Sequence, residues 1–319
     1  MSVYRTLPLG VDLGASRVRI ALAEAASPDD VRLKAVSARD ITDDVRDDRG
    51  LIGALIEEII AELGVRTRNC VAALGAPDAV LRVIHFPKMS WQERLRAARY
   101  EAQRFAPPDA DGMSLVRVHR SGDRENTFAI GVTRQSKIGD RVALLKQARL
   151  RVIAIDHDAL ALRRAIPFAD AILDIGSVRS TLHQYTAAAP FSHAISIGGA
   201  DVTKGIAREL SIDWASAERR KRILGSAGAG VSVRAALTSE FATVIERARA
   251  RAPITRIVLV GNGARLPSLV ADIEQATGAT TELLIPPLLQ TDAYPEDVIR
   301  SAAPDWMLCA ALTTWGLAA

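Results

Sequence analysis

The sequence predicts an α/β protein of two lobes, with a small module inserted in the first, on three observations. At 319 residues the chain exceeds what one core of ordinary size holds, so two lobes are expected. A strand–turn–strand pattern with Asp two positions before Gly occurs twice, as GVDLGASRVRIAL and ILDIGSVRSTLHQY. Each copy opens a lobe, which reads as a diverged internal duplication. Between them, residues 79–156 run in the order β-α-β-β-α-β, that of a split βαβ module. An all-parallel dinucleotide fold would need a Gly-rich turn leading from strand into helix, and neither copy has one.

In chain order, strands are predicted over 9–12 and 17–23 around a Gly-containing turn, with a weaker strand over 31–37. Helical spacing of apolar residues fills 51–63 and stops at Gly64, and the apolar run 69–74 fits a buried strand. The module starts with a strand over 79–86 ending at Pro87. Ser90 caps a helix through Trp91, Leu95, Ala98 and Phe105, which Pro107 and Pro108 stop. Strands over 115–120 and 127–133 flank the polar turn SGDREN, and a helix over 135–148 and a strand over 152–156 follow. The second lobe reads as strands over 171–174, 180–185 and 191–197 and helices over 201–210 and 214–224. GSAGAGV at 225–231 reads as a flexible break before a long helix over 233–251. A strand over 256–260, a helix over 266–277 with Pro267 in its first turn, and an amphipathic helix over 305–317 complete the chain. The expected units are a first-lobe core 1–78, an inserted subdomain 79–150 and a return segment 151–170. A second lobe 171–303, with its outer subdomain at about 199–252, and a C-terminal helix 304–319 packing on the first lobe follow.

Composition excludes several classes. Hydrophobic residues at 49% and charged residues at 24% argue against disorder. A net charge of +4, without a face-length basic run on an aromatic platform, is no nucleic-acid signature. The densest basic cluster, ERRKR from Glu218 to Arg222, is equally well a solvated helix face or a ligand-facing one. Cys70 and Cys309 have no metal-ligand spacing and read as buried, reduced thiols of a cytoplasmic protein. No stretch reaches the ~18 apolar residues of a membrane span, so the expectation is a soluble protein that meets a membrane only through partners.

The repeated turns have a chemistry in common. A nucleoside triphosphate needs backbone N–H donors at close range, and a turn with Gly lets the backbone approach. In the first turn Gly14, Ala15 and Ser16 offer N–H groups and a hydroxyl, and Asp12 at the strand end is placed to bind Mg²⁺ through water. Asp174, Gly176 and Ser177 do the same in the second, and Arg17 and Arg179 are cations long enough to reach phosphate. The run VLVGNGARLP is an apolar strand entering a loop of Gly261, Asn262 and Gly263, against which a flat adenosine can pack. Each motif alone is also what an ordinary turn or strand-to-helix connection looks like; their joint occurrence is the signal.

Together these elements resemble the actin-like ATPase superfamily and, within it, the PilM family of type IV pilus assembly proteins, related to FtsA. The likeness extends over nearly the whole chain. It includes the module RVIHFPKMSWQERLRAARYEAQRFAP, the linking segment VIAIDHDALALRRA, and SIGGADVTKGIAREL followed by SAERRKRILG. The resemblance implies an actin-like two-lobed fold of duplicated ribonuclease-H-like domains with an FtsA-type inserted subdomain. It implies ATP and Mg²⁺ in the cleft, with Gly198 and Gly199 nearby and Glu218 and Lys221 beside the adenosine. It also implies a groove between insert and lobe core for the N-terminal cytoplasmic tail of a PilN-like inner-membrane protein, with self-association as a further expectation. This sequence departs from the family pattern at Asp158, where Glu is usual, and at Asn262, where a second Gly is common. Asp158 is the candidate catalytic residue, a shorter carboxylate, so weak or no hydrolysis is expected; neighbouring His157 reads as a packing residue. The final helix lacks the basic amphipathic tail of FtsA. The competing readings are a kinase of the same superfamily, an FtsA-like filament former and a type II secretion scaffold.

Overall fold

Both hairpins form, and each seeds a sheet of the same topology. The structure, a computed structural model, describes residues 3–104, 113–120, 127–186, 190–289 and 291–317, with only the backbone of 83, 113–120 and 127–129. Phe105, the Pro107–Pro108 stop and the turn at 121–126 lie outside the described residues. The first part of the chain forms β1 (Arg5–Thr6), β2 (Leu9–Leu13), β3 (Arg17–Ser27), β4 (Asp30–Asp40), α1 (Asp43–Arg46), α2 (Arg49–Leu63) and β5 (Asn69–Leu74). The insert contributes β6 (Ala79–His85), α3 (Trp91–Gln103), β7 (Met113–Arg120), β8 (Thr127–Arg134) and α4 (Gln135–Gln147), and β9 (Arg151–His157) and α5 (Asp158–Ala165) follow. The second half has β10 (Ala171–Ile175), β11 (Ser180–Tyr185), β12 (Pro190–Ile195), α6 (Gly199–Leu210), α7 (Trp214–Leu224) and α8 (Val231–Arg249). It ends with β13 (Arg256–Val260), α9 (Leu269–Thr277), β14 (Thr280–Glu282) and α10 (Glu296–Thr313).

The first sheet runs β4-β3-β2-β5-β9, with short β1 also on β3, and the second runs β12-β11-β10-β13-β14. In each, the first three strands are antiparallel and the last two run parallel to the hairpin's first strand. The duplication read from two short motifs is therefore a duplication of whole sheets. The insert's own sheet, β6-β8-β7, has three strands. The expected fourth strand, β9, instead pairs parallel with β5 in the first sheet, from Asn69↔Arg151 to Leu74↔His157.

Several boundaries move for physical reasons. β3 and β4 are eleven residues each, longer than expected, with register shifts that let the ribbon twist outward. The 225–231 segment is an ordered turn: Gly225, Gly228 and Gly230 all have positive φ, and the Gly230 N–H donates to Glu209 Oε2 at 2.7 Å. Its glycines answer a backbone need that composition alone reads as flexibility. Pro267 precedes α9, with Ser268 at φ 69° between them. Ser90 does cap α3, in a reciprocal pair with Glu93, and Gly64 ends α2 in the left-handed region.

α10 begins nine residues earlier than expected and runs through Pro304. It lies across the first sheet so closely that a Cβ on Gly10 would sit 1.8 Å from the Cys309 carbonyl oxygen. One apolar cluster joins the two sheets through this helix: Ala21 and Leu33 of the first, Ile172 and Val258 of the second, and Met307 and Cys309 between them. Separate cores sit outside each sheet, around Ile56 and Ile59 in the first lobe and Phe241 and Ile245 in the second. Cys70 and Cys309 are free and buried, and burial pushes the Cys70 thiol up to about 12.

Candidate functional site

The two hairpin turns have one geometry. Gly14 N–H donates to Arg17 O at 3.0 Å and Gly176 N–H to Arg179 O at 3.1 Å. A Cβ on either glycine would press on that same closing carbonyl, at 3.0 and 2.6 Å, so the tightness of the turn selects glycine. Among the described residues, the N–H groups of Ala15, Ser16, Ser177 and Val178 donate to no acceptor. Each turn thus presents two adjacent unspent donors, the arrangement that receives an anion.

Strand register decides which charges face the turns. Asp12 pairs with Arg19 across β2 and β3, which places both side chains on one face, and Arg19 Nη1 lies 3.0 Å from Asp12 Oδ2. At the equivalent position of the second hairpin, Asp174 faces Thr181. The second carboxylate therefore lacks the cation the first one has. Among the described residues Asp174 takes part in no hydrogen bond or ion pair. Burial, then the charges of Asp12 and Asp158, push its pKa up to about 7. Burial also raises the Asp12 carboxyl, against the pull of Arg19.

The hairpins converge through α10. Arg19 reaches Asp305 with Nη2 2.5 Å from Oδ1, and Arg17 Nη1 lies 3.2 Å from the other oxygen of Asp305. The neighbouring Pro304 carbonyl accepts from Gly261 N–H at 2.7 Å. A Cβ on Gly261 would lie 2.4 Å from Asp174 Oδ1, and one on Gly263 2.4 Å from Ile175 Cγ2. The contacts run unbroken from Asp12 through Arg19, Asp305 and Gly261 to Asp174, so both turns open on one cleft. Arg17 is tied to Asp40 as well, at 3.1 Å, whereas exposed Arg179 makes none of these contacts. Arg19, Asp305 and Arg141, whose Nη1 lies 3.3 Å from Leu13 O, are cleft residues that sequence reading missed. Position seven after Asp12 was the only local signal for Arg19; Asp305 had none.

Farther along the cleft, Gly198 and Gly199 lie against the second turn. Gly199 N–H donates to Gly176 O at 2.9 Å and Ala200 N–H to Ser177 O at 2.8 Å. A Cβ on Gly198 would come within 2.4 Å of Ser177 O. The Lys221 ammonium donates to Gly199 O at 2.9 Å and Thr203 Oγ1 at 2.8 Å, and pairs with Glu218 at 2.7 Å. A Cβ built on Gly199 would also stand 3.9 Å from Gly263 Cα. Gly199, Glu218, Lys221 and Gly263 are thus neighbours, while Asn262 turns its Oδ1 to Arg265 at 3.4 Å. The basic cluster splits, with Lys221 facing the cleft and Arg222 reaching out to Asp40 of the other lobe at 3.8 Å.

Asp158 rests where Gly75 leaves room, since a Cβ there would sit 1.6 Å from its Oδ2. Ala159 N–H donates to Oδ1 at 2.6 Å and lies 3.2 Å from His157 Nδ1, which itself stands 2.8 Å from the same carboxylate oxygen. His157 is fully buried, as expected, but it also positions this carboxylate. Burial opposes the charge on Asp158, but His183, His157 and the Ala159 N–H outweigh it and hold the carboxyl below its ordinary range. His183 itself is pushed down to about 4 by burial and is neutral at pH 7.

Two sheets of one topology, each offering an Asp-x-Gly turn to a shared cleft, define an actin-like ATPase fold. Solved structures of that fold match the whole chain. One is a PilM-PilN type IV pilus biogenesis complex, with a TM-score of 0.82 at 23% identity over 99% of both chains. The ethanolamine utilization protein EutJ from Carboxydothermus hydrogenoformans matches with a TM-score of 0.63 at 14% identity, over 98% of this chain and 90% of that one. MreB 5 of Spiroplasma citri bound to AMPPNP matches with a TM-score of 0.52 at 11% identity, over 98% and 96%. No protein with a curated description matches. The family model for type IV pilus assembly protein PilM matches residues 10–314, and the chain belongs to that family.

Proposed function

We propose that this chain is an ATP-binding scaffold of a type IV pilus assembly complex, cytoplasmic and held at the inner membrane by the N-terminal tail of a PilN-like protein. The observation that carries the reading is the family match from residue 10 to 314, which takes in both hairpins, the insert and the Gly261–Gly263 loop. The resemblance to a PilM-PilN complex supports the partner, and no helix among the described residues is long and apolar enough to cross a membrane itself. Phe86 is buried in the insert's core, while Trp91 and Tyr100 stand exposed on α3 and are, among the described residues, the aromatics of that helix open to a partner. The insert, 79–150, is the unit we assign to partner binding.

In the cleft, the free N–H groups of the two turns with Ser16 and Ser177 receive phosphate oxygens, and Arg17, Arg19 and Arg141 offset their charge. Gly198, Gly199, Glu218, Lys221, Gly261, Asn262 and Gly263 flank the adenosine. The pair Asp12 and Asp174 fits Mg²⁺, because Asp174 is an unpartnered carboxylate that burial and its acidic neighbours make costly to ionise without a cation. Bound Mg²⁺ would neutralise phosphate charge there. Asp158, kept ionised with a lowered pKa, is a poor general base near pH 7, which favours ATP as a structural or switching ligand.

Pull-down with a peptide of the PilN-like tail tests the partner, and retention of the peptide is expected. Failure to retain it with or without Mg-ATP sinks the assignment. Nucleotide-free protein should melt higher with Mg-ATP, as ligand linkage requires. Asp12→Ala should remove that rise and keep the fold, because Arg19 retains Asp305; wild-type affinity in the variant would sink the cleft assignment.

A further inference from the structure

The insert hangs from the first lobe by a pivot that touches the cleft. Among the described residues its own core gathers Phe86, Ala98, Ala102, Ile130 and Val132 and takes nothing from α4. α4 is instead fixed to the first lobe, where Leu145 joins Ile56 and Ile59. The β6-β8-β7 sheet and α3 therefore depend on two chain crossings, at 75–79 and 133–135. The crossings are tied to each other: Thr133 Oγ1 donates to Asp78 O at 2.7 Å, and Lys137 Nζ lies 3.0 Å from Asp78 Oδ1. On the far side, β6 faces β12 of the second lobe across a cavity of about 210 Å³, so this contact is not close-packed. A body with its own core, two tied crossings and an unfilled facing contact can turn without opening either neighbouring core.

The pivot meets the cleft twice. Ala79 N–H donates to Gly75 O at 2.9 Å, and Gly75 is the residue whose missing Cβ makes room for Asp158. Arg141 of α4 donates to Leu13 O, beside the first turn, and makes no ion pair among the described residues. Burial disfavours its charge, while Asp12 in the cleft and then Asp78 in the pivot favour it. We propose that the insert turns about this pivot when nucleotide fills the cleft, with Arg141 as the positioning residue between the first turn and Asp78. The proposal rests on the cleft being a nucleotide site. Negative charge arriving beside Gly14 competes with Asp78 for the one guanidinium, and α4 cannot follow because its far end is packed in the lobe. A ligand moves such an equilibrium only through an interaction that differs between the two states, and Arg141 supplies it. By reciprocity, a partner that fixes the angle of the insert changes nucleotide affinity.

Double electron–electron resonance between two spin labels in the full chain measures the turn. The labels go on Gln92→Cys in α3 and Glu240→Cys in α8, both exposed positions, while Cys70 and Cys309 are buried and stay unlabelled. Saturating Mg-ATP, with saturation read from the rise in melting temperature, should change the mean distance by about 2 Å or more, the scale of a domain rearrangement. Asp78→Asn, which leaves every cleft residue in place, should keep the rise in melting temperature and lose most of the distance change. A protein that melts higher with Mg-ATP at an unchanged distance overturns the proposal and leaves the cleft assignment standing. One that neither melts higher nor changes distance overturns both. A distance change of full size in Asp78→Asn also overturns the proposal, because Arg141 would then not act through Asp78.

Discussion

At the scale of single residues, the difference between Asp12 and Asp174 is the most informative feature of the cleft. The sequence offers them as equals in two copies of one motif, yet β3 places Arg19 opposite the first and β11 places Thr181 opposite the second. The cost of the missing cation falls on Asp174. An acid whose folded pKa lies above its unfolded value of 3.8 binds extra protons when folded. Its contribution to stability is therefore full below about pH 4 and is lost as pH rises through about 7. Asp174→Asn should stabilise the nucleotide-free protein by about 1–2 kcal/mol at pH 8, less than full linkage gives because the side chain keeps some solvent contact. The gap in melting temperature should close toward pH 5. A gap of equal size at both pH values would mean that Asp174 titrates as an ordinary carboxyl.

At the scale of elements, α10 does what neither hairpin can do alone. Asp305 is nearly inaccessible to solvent and neutralises Arg17 and Arg19 at once, while the preceding carbonyl holds the loop at Gly261. Removing one partner from a buried ion pair costs about 3–5 kcal/mol, since the remaining charge is stranded. Asp305→Asn should lower the melting temperature of nucleotide-free protein sharply. It should also enlarge the rise produced by Mg-ATP, because phosphate then supplies the negative charge that Asp305 no longer gives Arg17 and Arg19, which keep only Asp40 and Asp12. A smaller Mg-ATP effect in the variant would mean that Arg17 and Arg19 do not face the phosphates. This element also marks the limit of what the sequence discloses. Alternation, the Ser90 cap and the Gly64 stop are local signals, and they placed strands and helices well. The Asp305–Arg19 pair joins residues 286 apart, and no periodicity encodes it. The helix expected from 305 begins nine residues earlier and continues through Pro304, whose carbonyl accepts from the Gly261 N–H.

At the scale of the molecule, one sheet topology occurs twice, and the two copies meet over a cleft closed by a continuous apolar cluster around α10. The cross-cleft pair Arg222–Asp40 is half exposed, at 51% and 50%, so it adds little, and buried surface holds the lobes together. A fold held in this way places the free donors of Ala15 and Ser16 in fixed relation to those of Ser177 and Val178, before any ligand arrives. If one chain of phosphates occupies both turns, their amides must be protected together, because neither turn can be filled without the other. Hydrogen exchange of the wild-type protein with and without Mg-ATP measures this directly. Amide exchange at 15–16 and 177–178 should slow in parallel as nucleotide is titrated, with one midpoint. In Asp12→Ala both segments should lose protection at once. Protection that appears in one turn only, or with two separate midpoints, would mean that the lobes bind independently and that the second hairpin serves the sheet alone.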